Sequence, residues 1–257
     1  MPSVDVVVPN YQYGRYLRDC VASILNQGID QLRVLIVDNA STDDSVEVAQ
    51  ELADCSSQIE VRLHATNLGF HASVNEGLDW AASDYLIVLC ADDLLPPGAL
   101  RRAVSIMEEN PGTAFAYGAY ARMTGSITSA PLEETPQAAW RIENGDRFIA
   151  RCCQDMVHAM APLVRTSIQK KIGYYRSELR QTSDLEMLLR LACGGDPLTP
   201  SHLVPCSVSC FNGRLVIVNG FAVCVCLSPL SMCVSHYYLF KCIINNAAPP
   251  KKRCIMK

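Results

Sequence analysis

The first 120 residues alternate short apolar runs with segments of helical periodicity, and this alternation constrains the fold more than any other feature. The runs are rich in β-branched residues and almost continuously apolar, which is typical of strands buried on both faces of a parallel sheet. They lie at Asp5–Val8, Leu32–Val37, Ile59–Leu63 and Tyr85–Leu89.

Between and after these runs, apolar residues recur at the i, i+3, i+4, i+7 spacing of an amphipathic helix. Such stripes lie at residues 17–24, 46–53, 74–81 and 100–107. Strand and helix in regular alternation predict right-handed βαβ units and a doubly wound α/β sheet, mostly parallel with helices on both faces. Ligands of such sheets bind at the carboxyl ends of the strands, so we look for a functional site there.

Charge is distributed unevenly along the chain. Residues 1–200 contain 16 basic and 26 acidic residues, whereas residues 201–257 contain six basic and no acidic ones. An acidic body argues against nucleic acid as the main partner, because binding phosphates needs a basic face. Residues 1–5 lack the basic and apolar regions of a secretory signal, so we expect a cytoplasmic protein with free thiols.

Two strand ends carry polar clusters that suit a nucleotide base. Pro9 and Tyr11 follow the first run, where a tyrosine ring can lie against a base or simply cover the sheet edge. Asp38 follows the second run, and its carboxylate can accept a hydrogen bond from the N3–H of a pyrimidine. We expect Ser41 and Asp43 to cap the next helix.

A pair of acidic residues, Asp92 and Asp93, follows the fourth run. Adjacent carboxylates after a buried strand are costly unless a cation or hydrogen bonds compensate them. Hard divalent cations prefer oxygen ligands, and Mg²⁺ often combines one or two carboxylates with substrate phosphates. The pair is therefore a candidate metal site, with an ordinary turn as the alternative interpretation.

These clusters follow one another in the order of a known family's motifs, and an acceptor-side motif comes after them. The elements are Val-Pro-x-Tyr at 8–11, Val-Asp-x-x-Ser-Thr-Asp at 37–43, Asn67-Leu68-Gly69 through Asn75-x-Gly77, Asp-Asp at 92–93, and Ile172-Gly173-Tyr174-Tyr175 followed by 183–191. Over about residues 3–195 the chain resembles the family 2 glycosyltransferases. The resemblance implies the GT-A fold, a nucleotide-diphosphate sugar donor, a Mg²⁺ or Mn²⁺ ion, and inversion at the anomeric carbon.

The resemblance also implies a nucleotide site built from particular residues. Pro9 and Tyr11 would form the base pocket, and Asp38 would contact the N3–H of uracil or thymine. Asn67 and Gly69 would belong to the same nucleotide-binding site.

The family's catalytic residues match a second group of positions. Asp92 would contact the ribose or the sugar, and Asp93 would bind the metal that bridges the diphosphate. Asp184 matches the general base that deprotonates the acceptor hydroxyl, with a first-turn acid on a helix dipole as the alternative. Cys90 departs from the pattern, because many members have an acid there.

The acceptor-side motif also predicts a helix from about Asp184 to Cys193. Ser183, three residues before Glu186, fits a capping box, so we expect Ser183 to be its N-cap. We expect Arg190 on the same helix to lie at a solvated or ion-paired face, with approach to the donor phosphates as the alternative.

The likeness to the family ends near residue 195. We therefore predict a transferase domain at 1–195, with a nucleotide-binding half at 1–120 and an acceptor half at 144–195. Residues 196–257 would form an atypical, irregular tail that is basic and rich in cysteine.

Four interpretations of the tail remain open. The first three are a membrane anchor at 215–240, a metal site that includes His202, Cys206 and Cys210, and lipidation of Cys254. The fourth, which we favour, is translation of non-coding sequence or of a shifted reading frame, because acidic residues vanish and cysteines accumulate abruptly.

The sequence as a whole therefore predicts an inverting, metal-dependent transferase that uses a UDP- or dTDP-sugar. It does not identify the acceptor, which could be a saccharide, a lipid-linked molecule or a protein, and membrane association would depend on 215–240. The alternative is a nucleotide-sugar-binding protein that has lost turnover because C-terminal acceptor elements are missing.

Overall fold

A computed structural model of the chain describes residues 2–118, 121–122, 141–154, 161–179, 182–194, 200–203 and 215–216. Its helices are α1 (Gly14–Leu25), α2 (Ser45–Cys55), α3 (Phe70–Trp80), α4 (Ala99–Glu109), α5 (Gly145–Gln154), α6 (Thr166–Ile172) and α7 (Ser183–Gly194). Its strands are β1 (Val4–Asn10), β2 (Leu32–Asp38), β3 (Ile59–Leu63), β4 (Tyr85–Val88), β5 (Asp93–Leu94), β6 (Phe115–Tyr117), β7 (Ala121–Arg122), β8 (Arg141–Asn144), β9 (Leu163–Arg165), β10 (Pro200–Leu203) and β11 (Leu215–Val216).

The strands form one large sheet with the order β3-β2-β1-β4-β9-β6-β10-β8. β3, β2, β1 and β4 run parallel, and Val7 pairs with Leu35 on one side and with Val88 on the other. β9 is antiparallel to both β4 and β6, while β10 pairs parallel with β6 and antiparallel with β8. A second, small sheet has the order β5-β11-β7. The predicted α/β fold with a mostly parallel sheet is confirmed.

Helices cover both faces of the sheet, as the alternation of side chains along β1 requires. Val6 and Val8 point to one face and belong to a large buried cluster with residues of α1, α2, α4, α5 and α7. Val7 points to the opposite face, where it packs with Val74 and Leu78 of α3. Near-continuous apolar runs arise because β1, β2 and β4 are buried on both faces.

β3 departs from the predicted burial on both faces. Ile59 is buried, but the remaining residues of this strand are half-buried or exposed. The reason is its position at the edge of the sheet, where β2 is the one described strand that lies beside it.

Gly77 allows α3 to lie unusually close to β1. A Cβ atom at this position would come within 2.2 Å of Cγ1 of Val7, far inside van der Waals contact. The glycine of the Asn75-x-Gly77 motif therefore has a packing role. It sets the distance between α3 and the sheet.

Asp5 joins three parts of the nucleotide-binding half through one buried carboxylate. Arg33 on β2 donates two hydrogen bonds to it, of 2.9 and 2.8 Å. The amides of Ala82 and Ser83 and the hydroxyl of Ser83 donate three more, all between 2.7 and 2.8 Å. Burial alone would raise the pKa of Asp5, but these hydrogen bonds outweigh it and lower the pKa below the ordinary value.

Two strands of the predicted tail are described, and both pair with strands that precede residue 195. Cys206, Cys210, Cys254 and nearly all of 215–240 lie outside the described residues. Among the helices that are described, none is both long enough and apolar enough to cross a bilayer. The boundary at residue 195 stays a prediction.

We expect Asp5→Ala to lower the free energy of unfolding at neutral pH by about 3 kcal/mol, because five hydrogen-bond donors lose their acceptor. The folded-state pKa of Asp5 is lowered, so its contribution is present above the ordinary aspartate pKa and is lost as the pH falls through the folded value. Urea unfolding at several pH values measures both effects. Asp30→Asn, at an exposed carboxylate, is the matched control; equal stability of the two variants would contradict the assigned role of Asp5.

Candidate active site

The candidate site lies where the parallel strands end. β2, β1 and β4 are neighbours in the sheet and run in the same direction, so the segments that follow them meet at one edge. These segments carry the residues that the sequence singled out after each strand. The strand order thus brings the ends of these three strands to the edge where a ligand of a parallel sheet is expected.

Asn10 and Asp38 form the polar floor of this edge. They pair in register at the ends of β1 and β2, and Nδ2 of Asn10 donates a 2.7 Å hydrogen bond to Oδ2 of Asp38. The amide of Ser41 donates a 2.9 Å hydrogen bond to Oδ1 of the same carboxylate. Asp38 is thus buried and fixed, and each carboxylate oxygen keeps a lone pair beyond these two bonds.

The two residues predicted to form the base pocket have different surroundings. Pro9 is buried within β1. Tyr11 is 44% exposed, so its ring is accessible to a ligand. Of this pair, only Tyr11 presents a surface on which a base can stack.

The predicted helix caps after β2 are wrong, because the N-cap of α2 is Asp44, which makes no side-chain capping bond. Asp43 accepts hydrogen bonds from the amides of Ser45, at the start of α2, and Gly14, at the start of α1, each 3.1 Å long. The hydroxyl of Ser41 instead accepts a 2.9 Å hydrogen bond from the amide of Gln12. Ser41 therefore joins the loops after β1 and β2 and does not cap α2.

The loop before α3 is held by two asparagine side chains. Nδ2 of Asn39 donates a 2.9 Å hydrogen bond to Oδ1 of Asn67, and the amide of Leu68 donates a 2.8 Å hydrogen bond to Oδ1 of Asn39. Gly69 has a φ of +88°, which side-chain-bearing residues rarely adopt, and it directly precedes the first turn of α3. Asn67 and Gly69 therefore shape this loop beside the strand ends.

Three potential metal ligands lie together after β4. Sγ of Cys90 and carboxylate oxygens of Asp92 and Asp93 are within 4.8 Å of one another. Burial, and next the charge of Asp92, raise the pKa of Asp93 well above the ordinary value. Burial and the nearby acids likewise raise the pKa of the Cys90 thiol.

This donor set fits a divalent cation. Two carboxylates are suitable ligands for Mg²⁺ or Mn²⁺, and a cation would offset the unfavourable proximity of two acidic groups in a buried place. Sγ of Cys90 adds a softer ligand atom beside them.

A cavity connects this cluster with the predicted catalytic base. Asp93 and Cys90 line it on one side, and Asp184 and Tyr175 line it from the acceptor-side motif. Burial raises the pKa of Asp184, while the charge of His71 and a hydrogen bond from Ser183 partly oppose this shift. The two carboxylates with separate predicted roles thus line the same cavity.

The start of α7 differs from the predicted capping box. Ser183 belongs to the first turn, and the amide of Glu186 bonds the carbonyl oxygen of Thr182. The Glu186 carboxylate does not reach back to the helix start, because it forms ion pairs with Arg190 at 2.7 Å and Arg176 at 3.3 Å. The N-cap assignment of Ser183 is therefore wrong.

Arg190 is ion-paired, as the sequence predicted. Besides Glu186, it bonds the carbonyl oxygens of Ile172 and Tyr174 at 2.8 and 2.7 Å. It thereby fixes the segment that leads to the cavity. The alternative, a contact to donor phosphates, has no support in these bonds.

One face of α3 holds the acceptor-side motif, and sequence reasoning missed this. The side-chain amide of Asn75 donates a 3.0 Å hydrogen bond to the carbonyl oxygen of Tyr175 and accepts a 2.9 Å one from its amide. His71, one turn earlier, lies 2.8 Å from the hydroxyl oxygen of Ser183. Asp79, one turn later, bonds the hydroxyl of Tyr174. The signal available in the sequence was the spacing of four residues between three polar positions on one helix.

Comparisons with known proteins show which family the chain resembles in sequence. A family model described as glycosyl transferase family 2 matches residues 5–170. An uncharacterized glycosyltransferase of Haemophilus influenzae is 30% identical over 110 residues, which are 43% of this chain and 44% of the relative. The glycosyltransferase GlyG of Streptococcus pneumoniae is 31% identical over 107 residues, 41% of this chain and 35% of GlyG. The matched regions thus span less than half of these curated relatives.

Solved structures share the fold at low sequence identity. TarS residues 1–349 of S. aureus, crystallised in complex with UDP-GlcNAc, align with a TM-score of 0.65 and 17% identity, covering 95% of this chain and 67% of that one. The mannosyltransferase PcManGT of Pyrobaculum calidifontis, in complex with GDP-Man and Mn²⁺, aligns with a TM-score of 0.57 and 18% identity, covering 81% of this chain and 56% of that one. The family model covers well over half of the chain, so the protein belongs to glycosyl transferase family 2.

Proposed function

We propose that the chain transfers a sugar from a UDP- or dTDP-sugar to an acceptor hydroxyl, with inversion at the anomeric carbon and with a bound Mg²⁺ or Mn²⁺ ion. The observation that carries this proposal is the cavity lined by both Asp93 and Asp184. Inverting transfer needs positive charge near the leaving diphosphate and a base on the opposite side of the sugar. Two carboxylates that line one cavity from different elements suit these two roles, one as a metal ligand and the other as the base.

The base of the donor would bind at the ends of β1 and β2. The exposed ring of Tyr11 would stack on it, and Asp38 would accept the N3–H of uracil or thymine with a free lone pair. Pro9 would support this pocket from within β1, and Asn67 and Gly69 would shape its third side. The UDP-GlcNAc bound to TarS supports a uridine donor, since the two chains share a fold.

The diphosphate would bind beside Asp92 and Asp93. Asp93 would hold the cation, and Asp92 would contact the ribose or the sugar, with the Cys90 thiol as a neighbouring ligand atom. A divalent cation in this position supplies charge that stabilises the departing diphosphate. The Mn²⁺ bound to PcManGT supports a cation in a fold of this kind.

Asp184 would act as the general base. The acceptor oxygen attacks the anomeric carbon in line with the leaving group, and its proton passes to the carboxylate of Asp184. The bond from the anomeric carbon to the phosphate oxygen breaks, and its electron pair stays on the diphosphate. The direction of attack produces inversion, and no covalent enzyme intermediate is formed.

The domain assignment is part of the same proposal. Residues 1–120 would bind the donor, and residues 144–195 would supply the base and the acceptor side. The acceptor is a hydroxyl compound of a class that these residues do not identify. A thermal-shift screen of nucleotide sugars in Mn²⁺ would find the donor, and release of UDP from it would separate a transferase from a protein that only binds.

We expect Asp93→Asn to remove the gain in UDP affinity that Mn²⁺ gives the wild type, about 10-fold or more, because a charged ligand is lost. Without a cation, the variant should be at least as stable as the wild type, since one half-buried acid beside Asp92 has been neutralised. Calorimetric titration of UDP with Mn²⁺ or EDTA and thermal unfolding measure these effects. Asp54→Asn, at an exposed acid of α2, is the control. A cation-dependent affinity that survives in Asp93→Asn would overturn the metal assignment.

We expect Asp184→Asn to reduce kcat for UDP release by about 10²- to 10⁴-fold with little change in the donor KM, because the amide cannot accept the proton. Burial raises the pKa of Asp184, and the base acts when ionised. The rate should therefore fall with decreasing pH at a point above the ordinary aspartate range, and Asp184→Asn should lack this limb. Asp146→Asn, at an exposed acid in the first turn of α5, is the matched control. Full activity of Asp184→Asn would exclude this residue as the base.

A further inference from the structure

We propose that His71 is a positioning residue for Asp184 and acts through the hydroxyl of Ser183. The inference rests on the proposed role of Asp184 as the base. It assigns a function to a histidine that lies on α3, in the nucleotide-binding half of the chain, rather than in the acceptor-side motif.

The contacts form a short hydrogen-bonded chain. Nε2 of His71 lies 2.8 Å from Oγ of Ser183, and Oγ of Ser183 donates to Oδ1 of Asp184 over 3.5 Å. Ser183 is buried, so its hydroxyl has little contact with water. The three groups therefore connect α3 with the carboxylate that lines the cavity.

The available hydrogens determine which group donates and which accepts in each of these two hydrogen bonds. A serine hydroxyl has one hydrogen, and in the proposed chain the hydroxyl of Ser183 donates it to Asp184. The Ser183 oxygen must then accept its second hydrogen bond from His71, which requires a hydrogen on Nε2. Each bond in the chain polarises the next towards the carboxylate, which favours ionised Asp184.

The contact also orients the carboxylate. Within the described part of the chain, Ser183 is the one residue whose side chain hydrogen-bonds that of Asp184. Oδ1 is engaged by this bond, which leaves Oδ2 for the acceptor hydroxyl. Holding a base in one rotamer favours the geometry in which it receives the proton.

The neighbouring contacts of α3 have a different role. Asn75 bonds the backbone of Tyr175, and Asp79 bonds the hydroxyl of Tyr174, so both hold the acceptor-side motif without reaching the base. His71 holds the residue directly before Asp184. The link through Ser183 to the carboxylate of Asp184 distinguishes His71 from the two structural contacts on the same helix face.

We test this with UDP release from UDP-GlcNAc in Mn²⁺, with water as the acceptor, for His71→Ala, Ser183→Ala, their combination and His71→Gln. Each alanine variant should lower kcat about 10-fold at unchanged donor KM. The double variant should lose no more than either single one, because both break the same chain. His71→Gln should recover most of kcat, since its side-chain amide can place an N–H near the position of Nε2.

Ser73→Ala is the matched control. Ser73 is also buried on α3, and its hydroxyl has no hydrogen-bond partner among the residues that the structure describes, so this variant should keep full kcat. Thermal unfolding and UDP affinity of every variant identify any loss that comes from misfolding. An unchanged kcat in the alanine variants, an additive loss in the double variant, or no rescue by glutamine would overturn the inference.

Asp184→Asn separates this inference from the proposed function. If Asp184→Asn is inactive while the His71 and Ser183 variants are fully active, the assignment of Asp184 as the base is supported and the positioning role of His71 is refuted. If Asp184→Asn is fully active, the base assignment itself falls, and the positioning role falls with it.

Discussion

The close contact of α3 with β1 is the constraint on which the rest of the site depends. Gly77 allows the helix to approach Val7, and no larger residue fits this gap. From this position the opposite side of α3 reaches the acceptor-side motif through His71 and Asn75. A helix farther from the sheet would shift both contacts, and the cavity between Asp93 and Asp184 would change shape. The distance between α3 and β1 therefore influences how Asp184 is placed relative to the donor side of the cavity.

The electrostatics of the cavity follow from burial. Asp93 and Asp184 both have raised pKa values because each is largely withdrawn from water. Their surroundings differ, however: Asp93 has a second acid beside it, whereas Asp184 has a hydroxyl and an imidazole nearby. The first environment favours a cation, and the second supports an ionised base that can take a proton. Similar side chains thus acquire different chemistry from their neighbours.

Much of the donor side could be predicted from sequence, because residues that directly follow neighbouring parallel strands must meet at one edge. Asp38 and Asp93 belong to this class. The contact between His71 and Ser183 could not be predicted, since 112 positions separate them and no periodicity relates them. The start of α7 could not be predicted either. The spacing of Ser183 and Glu186 suggested a capping box, but the Glu186 carboxylate forms ion pairs with Arg176 and Arg190 instead. Which of several possible partners a side chain bonds depends on the groups that the tertiary structure brings within reach.

By itself, the sequence determined the order of strands and helices, the loops that carry polar residues and the motifs of the family, because these depend on local periodicity and spacing. The tertiary structure decided which side chains share a cavity, that β3 is an edge strand, and that α3 holds the base-bearing segment. These features depend on the distance between elements far apart in the chain. Such distances are set by packing, as at Gly77, where a single missing methyl group brings a helix onto the sheet.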